Sequence, residues 1–258
     1  MARAPCAGSS ASRRTSSTDA GTPRRCCRTG TSSGSVSRSS SRKATASTAT
    51  FSPTESPVSR PRIRQHVNPL TFRGEVEVPV WEEVFARPDL PREVDVGCAH
   101  GDFLLRRASE RPDLNLVGLE IRKPMAERVR RKIERAGLGN AAVVVCNANT
   151  AWRSLFGPSS LQAVYVHFPD PWFKKKHRKR RIMTPAFVED IARTLAPGGV
   201  LRFMTDHGEY AEEVVDLLAR AVAFEEVPDP EGLPATHREE WHAGRGDAIH
   251  RAAWRRRP

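Results

Sequence analysis

The sequence predicts an α/β domain, a mostly parallel sheet with helices on both faces, preceded by a disordered N-terminal tail. Three observations carry that expectation. From residue 93 short apolar runs alternate with helical patterns, as in a parallel sheet covered by helices. Glycine and proline punctuate the changes of period, at Gly97, Pro112, Gly137 and Pro197-Gly198-Gly199. Residues 1–60 hold 16 Ser, 9 Thr, one aromatic (Phe51) and no Leu or Ile, so that stretch cannot bury enough apolar surface to offset its chain entropy. The remainder, residues 61–258, is long enough for one domain with a substantial core.

Taken in order, Glu93 to Val96 is expected as the first strand, ending in Gly97. A helix follows from Asp102 to about Ser109, carrying Phe103, Leu104 and Leu105. Leu114 to Glu120 is the second strand. Pro124 suits a first helical turn, and Met125, Val129 and Ile133 recur at four-residue spacing up to Gly137. Ala141 to Cys146 and Ala163 to Phe168 are the third and fourth strands. Thr184-Pro185 signals an N-cap, with Phe187, Ile191 and Leu195 on one face until Pro197 ends the helix. Val200 to Thr205 is the fifth strand, and a helix from about Glu209 to Val222 presents Tyr210, Val214, Leu217 and Ala221. Phe224 to Val227 and, more weakly patterned, Ala248 to Trp254 supply two further strands.

The formal net charge is +12, but residues 1–60 carry ten basic side chains against two acidic ones, so most of the excess lies in the tail. That Arg/Ser-rich stretch reads as an inert extension, a nucleic-acid arm or an organellar transit peptide. The longest apolar run, Ala141 to Cys146, is far short of the roughly 18 to 20 residues of a membrane span. No apolar signal-peptide region follows Arg3, so the protein is expected in the cytoplasm. Cys98 and Cys146 are the only cysteines of the domain and no CxxC spacing occurs, which argues against a disulfide framework or a structural metal.

An open α/β sheet binds ligands beyond the carboxyl ends of its strands. The turn after the first strand, Asp95 to Gly101, has glycines at 97 and 101, which allow a tight turn and close approach of a ligand to the backbone. It is not the G-x-G-x-x-G of dinucleotide enzymes, because position 99 is Ala and position 102 is Asp. Glu120 ends the second strand 19 residues after Gly101, where a carboxylate can accept from both hydroxyls of a ribose. Asn147 and Ala148 end the third strand, placed to read an adenine edge. Together these ends describe a pocket for a nucleoside cofactor. The fourth strand runs into Phe168-Pro169-Asp170-Pro171-Trp172, where two prolines fix the direction of one carboxylate. Lys174 to Arg181 then carries seven permanent positive charges and His177. Such a run is commonly a solvated face or a localisation signal, but at the rim of this pocket it would draw in a polyanion.

Arg64-Gln65-His66-Val67-Asn68-Pro69-Leu70, Asp95 to Gly101, the Pro169-Asp170-Pro171-Trp172 block with its basic run, Thr205-Asp206, and Thr236 with Glu239 resemble the bacterial TrmB-type tRNA (guanine-N7)-methyltransferases. The resemblance covers about residues 62 to 255. It implies a Rossmann-like class I methyltransferase fold, S-adenosyl-L-methionine as methyl donor, and the variable-loop guanine of tRNA (position 46) as acceptor; a monomer or homodimer without metal is expected. By motif it implies Asp95, Gly97, Gly101, Glu120, Asn147 and Ala148 as cofactor contacts and Asp170 at the reacting centre. It places Lys174, Asp206, Thr236 and Glu239 on the substrate side. Lys175, Lys176, Arg178, Lys179, Arg180 and Arg181 are expected as a nucleic-acid patch. Three positions depart from the commonest pattern: Asn147 stands where Asp is frequent, His100 lies within the glycine turn, and Phe173 stands where Pro is frequent. Read without the resemblance, Thr236-x-x-Glu239 is a capping box on a short helix. Two other functions fit the same residues: methyl transfer to another RNA, and RNA binding by this fold without turnover.

Overall fold

The computed structural model describes residues 67–258; the tail at 1–60 lies outside the described residues. Seven strands form one sheet in the order β3-β2-β1-β4-β5-β7-β6. They are β1 (Arg92–Val96), β2 (Asn115–Glu120), β3 (Ala141–Val145), β4 (Leu161–His167), β5 (Leu195–Thr205), β6 (Phe224–Val227) and β7 (His250–Arg256). The first five are mutually parallel, while β7 runs antiparallel between β5 and β6. This is the mostly parallel α/β architecture expected from the sequence. Strand order reverses between β1 and β4, which makes their carboxyl ends the natural ligand crevice.

Among the described residues seven α-helices accompany the sheet: α1 (Trp81–Val84), α2 (Asp102–Glu110), α3 (Lys123–Ala136), α4 (Ala148–Leu155), α5 (Pro185–Thr194), α6 (Gly208–Ala219) and α7 (His237–Ala243). Period-two alternation along the strands sorts the core into two sides. Val94, Val117, Val144 and Val164 pack with Trp152 of α4, Phe187 of α5 and Tyr210 of α6. Leu116 and Val143 pack instead with Leu104 of α2 and Val129 of α3. Every residue of β2 is buried, which is why its sequence is nearly continuous in apolar character.

Three local expectations need correction. The sequence reading had Asn147 and Ala148 ending the third strand, but they open α4: the Asn147 side chain caps Asn149 N–H at 3.2 Å, and Ala148, Ala151, Trp152 and Leu155 form its buried stripe. The helix expected to run to Pro197 ends at Thr194, because Leu195 already pairs with Leu161. The next pairing is Ala163 with Val200, so Pro197-Gly198-Gly199 bulges out of the ladder, where a missing N–H costs little. Finally, α6 stops at Ala219 and buries Tyr210, Val214 and Leu218, with Leu217 partly buried against the same core.

Candidate active site

The cradle forms where β1 turns into α2. Gly97 and Gly101 have φ of 76° and 75°, a region that favours glycine, and a Cβ built on Gly97 would meet nothing within 4 Å. Space is therefore left beside that backbone. At Gly101 the opposite holds: a Cβ would come within 2.7 Å of Val129 Cγ1, so this glycine lets α2 and α3 approach. Glu120 is buried at the end of β2, and its Oε2 accepts from Ala99 N–H at 3.1 Å, tying the strand end to the glycine turn.

Arg122, which the sequence reading did not single out, forks onto the same carboxylate. Its Nε donates to Oε1 at 2.8 Å and its NH2 group to Oε2 at 2.9 Å. The Glu120 carboxylate keeps this guanidinium more firmly charged than usual, and the Asp170 charge acts in the same direction. A basic residue two positions beyond a strand-end carboxylate was the available signal. Asp95, one strand over, is buried, and burial together with the Glu120 charge pushes its carboxyl up to about 7. Asn147 closes the cradle on the β3 side, its Nδ2 donating to Pro69 O at 3.0 Å. An Asp there would have no hydrogen to give to that carbonyl.

The loop carrying Asp170 is clamped at both ends. Phe168 and Trp172 have φ of 46° and 44°, a conformation that costs a bulky residue on the order of 1–3 kcal/mol and persists only where surroundings enforce it. The surroundings are visible. Phe168 N–H donates to Met204 O at 2.7 Å, and its ring stacks on His242 at 5.5 Å with Arg238 above it. Arg180 lies 4.9 Å from the Trp172 ring centroid, and Arg181 Nε donates to Pro171 O at 2.6 Å. Asp170 is thereby held at the carboxyl end of β4, at the reversal of strand order.

The basic run is not one uniform patch. Lys175–Arg180 form a 3-10 helix. Lys174, Lys175, Lys176 and Lys179 are exposed, as a nucleic-acid surface requires. Arg181, expected in that surface, is buried: it stacks on Tyr210 at 4.5 Å and pairs with Glu213. Arg178 is likewise engaged by Glu209 and Glu213, and Arg180 by Trp172. These three arginines hold the run and its loop against the body of the domain.

On the remaining side Asp206, just past β5, pairs with Arg238 at 3.0 Å and lies 3.2 Å from His242 Nε2. His242 is buried and reaches Asp247 through Nδ1 at 3.1 Å. Thr236 and Glu239 form a reciprocal capping box on α7, and Glu239 Oε1 also accepts from Arg251 at 2.7 Å. The pair expected to face the substrate is thus the one that builds α7, and its carboxylate is shared with β7. Nothing in the sequence singled out Arg238 or His242, whose roles depend on the packing of α7 over the end of β5.

The candidate site residues from Asp95 to Glu239 lie within the region 89–243 matched by the methyltransferase family model described as "Putative methyltransferase". A tRNA (guanine-N(7)-)-methyltransferase of Trichormus variabilis is 39% identical over 206 residues, covering 76% of this chain and 96% of that protein. One from Thermosynechococcus vestitus is 37% identical over 197 residues, covering 74% and 92%. One from Synechococcus sp. (strain JA-3-3Ab) is 45% identical over 157 residues, covering 60% and 66%. Among solved structures, the crystal structure of PH0851 superposes with a TM-score of 0.51 at 16% identity, covering 64% of this chain and 43% of that one, a likeness of fold alone. With the sheet order and strand-end cradle already described, the near full-length match to relatives of one name means that the chain belongs to the tRNA (guanine-N(7)-)-methyltransferase family.

Proposed function

We propose that the protein transfers a methyl group from S-adenosylmethionine to N7 of a guanine in tRNA, at the variable loop. The observation that carries this is the clamped Pro169-Asp170-Pro171 loop, which follows β4, the neighbour of β1, and leads directly into exposed lysines. The cradle suits the donor: open space lies over the Gly97 backbone, and Glu120 is a buried acceptor at the strand end where ribose hydroxyls can replace the hydrogens that Arg122 now supplies. When bound, S-adenosylmethionine supplies an electrophilic methyl, so that the N7 lone pair forms the new N–C bond as the C–S electrons return to sulfur.

Guanine N7 carries a lone pair and no proton, so no residue need act as general base. The protein's work is positioning and electrostatics. Asp170 accepts from the N–H edge of the guanine and offsets the positive charge that develops on the ring. Lys174 donates to O6 or to a neighbouring phosphate. Asp206, oriented by Arg238 and His242, holds the extruded base or its ribose. Lys175, Lys176 and Lys179 attract the phosphate backbone.

Transfer of labelled methyl from S-adenosylmethionine to bulk tRNA, followed by mapping of the product, tests the reading. N7-methylguanosine in the variable loop is expected. Labelling of another base or of another RNA class would replace this reading with methyl transfer to that substrate, and no labelling would leave an RNA-binding protein.

A further inference from the structure

We infer that Phe173 and His207 form a stacking platform for an unstacked base of the RNA, beside the reacting centre. The inference rests on the tRNA reading and deepens it. Phe173 follows the clamped loop directly and is 70% exposed. Its ring centroid lies 5.1 Å from that of His207, at a 55° tilt. His207 is held rigidly as the N-cap of α6: its Nδ1 accepts from Tyr210 N–H at 3.2 Å, and its own N–H donates to Thr205 Oγ1 at 3.2 Å. Phe173 is therefore supported on one side and open on the other.

A single exposed apolar side chain means little by itself. Here its surroundings specify a partner. Lys174, Lys175 and Lys176 follow at once and are exposed, so whatever meets the ring also meets concentrated positive charge. The pair bridges the Asp170 loop after β4 and the Asp206 end of β5, the two places from which substrate would be held. A flat aromatic face framed by lysines suits a nucleobase joined to phosphates, because every base offers a π-face and every linkage a negative charge. A base drawn out of its own stack loses a neighbour, and the platform supplies one.

The test uses the full chain and three variants, Phe173→Ala, Phe173→Leu and Phe173→Trp. Binding of fluorescent tRNA is titrated at several salt concentrations, and methyl transfer is followed separately. Phe173→Ala should weaken tRNA binding about five- to hundredfold and raise KM for tRNA by a similar factor while kcat changes little. Its line of log affinity against log salt should be displaced in parallel, since no phosphate contact is lost. Phe173→Trp should restore binding and Phe173→Leu should not. Cofactor affinity and melting temperature should stay unchanged.

Wild-type affinity in Phe173→Ala, or equal rescue by Leu and Trp, would overturn the platform. A wild-type protein that binds tRNA but transfers no methyl would defeat the functional reading while leaving the binding titration to decide the platform. Absence of tRNA binding by the wild type would overturn both.

Discussion

Two buried arginine–carboxylate forks stand at opposite ends of neighbouring strands, and they do different things. At the start of β1, Glu93 receives Arg107 Nε at 3.0 Å, Arg107 NH2 at 2.9 Å and the Tyr165 hydroxyl at 3.0 Å. That fork joins β1, α2 and β4. At the end of β2, Glu120 receives Arg122, two residues along the same chain, and the N–H of Ala99 in the adjoining turn. Similar chemistry is tertiary in one place and local in the other. Opening the first separates packed elements, whereas opening the second moves the Arg122 side chain off the Glu120 carboxylate.

The largest effect should come from breaking the tertiary fork. Glu93→Ala leaves Arg107 charged and buried without its carboxylate, a change typically worth about 3–5 kcal/mol. Chemical denaturation should show a loss of that order, and a loss under about 1 kcal/mol would mean that the fork is no staple. Next, Asp170→Ala should cut kcat by about a hundred- to thousandfold, the usual cost of removing one preorganised electrostatic contact, while leaving cofactor affinity near that of the wild type. Single-turnover methyl transfer measures this directly, and normal turnover would remove Asp170 from the reacting centre.

The local fork should respond in affinity instead of stability. Glu120→Ala should weaken S-adenosylmethionine binding about tenfold to hundredfold, through charge-assisted hydrogen bonds worth about 1.5–3 kcal/mol, with a much smaller change in unfolding free energy than in Glu93→Ala. Calorimetry on both variants compares the two forks, and a Glu120→Ala protein with unchanged cofactor affinity would take that carboxylate out of the cradle.

Asp95 sharpens the contrast through pH. Its carboxyl is raised to about 7 in the fold by burial and by Glu120, whereas an unfolded Asp titrates near about 4. The folded protein thus keeps a proton that the unfolded chain has released. This group's contribution to stability is fully present below about pH 4 and falls as pH rises toward about 7. Asp95→Asn should flatten that decline in melting temperature by removing the titration. Identical pH profiles would show that Asp95 is ionised throughout.

The smallest effect belongs to the rim. Converting Lys175, Lys176 and Lys179 to Gln should flatten the salt dependence of tRNA affinity by up to about 0.7–0.9 per lost phosphate contact without altering melting temperature. Charge removal at Arg178 or Arg181 should lower the melting temperature instead, since those side chains face Glu209, Glu213 and Tyr210. Parallel salt lines for the lysine variant would make the rim a solvated face.

Most of the fold was legible because its signals are local. Gly97 and Gly137 end β1 and α3 as glycines in the left-handed region, and Thr184-Pro185 caps α5 as the sequence suggests. The α4 helix was missed although Ala148, Ala151, Trp152 and Leu155 recur at helical spacing, because Asn147 fitted a strand end equally well. Glycine turn, strand-end carboxylate and stiff Asp170 loop could likewise be read from spacing. The division of the basic run could not. Arginines and lysines look alike in a charge count, and only the position of α6 decides that Arg178 and Arg181 turn inward while the lysines stay in water. His242 was equally hidden, since its partners Asp206 and Phe168 lie on two other segments.

The place of β7 in the sheet has a consequence for biosynthesis. Residues 250–256 are translated after the other six described strands, yet they slot between β5 and β6, pairing Thr205 with His250 and Phe224 with Arg256. Until the ribosome has delivered them, β5 lacks one neighbour and β6 has none within the sheet. Arg251 of β7 also pairs with Glu239, which caps the helix that carries Arg238 and His242 to Asp206. The nascent chain can therefore pair its first five strands early, whereas β6 joins the sheet only once β7 has been made.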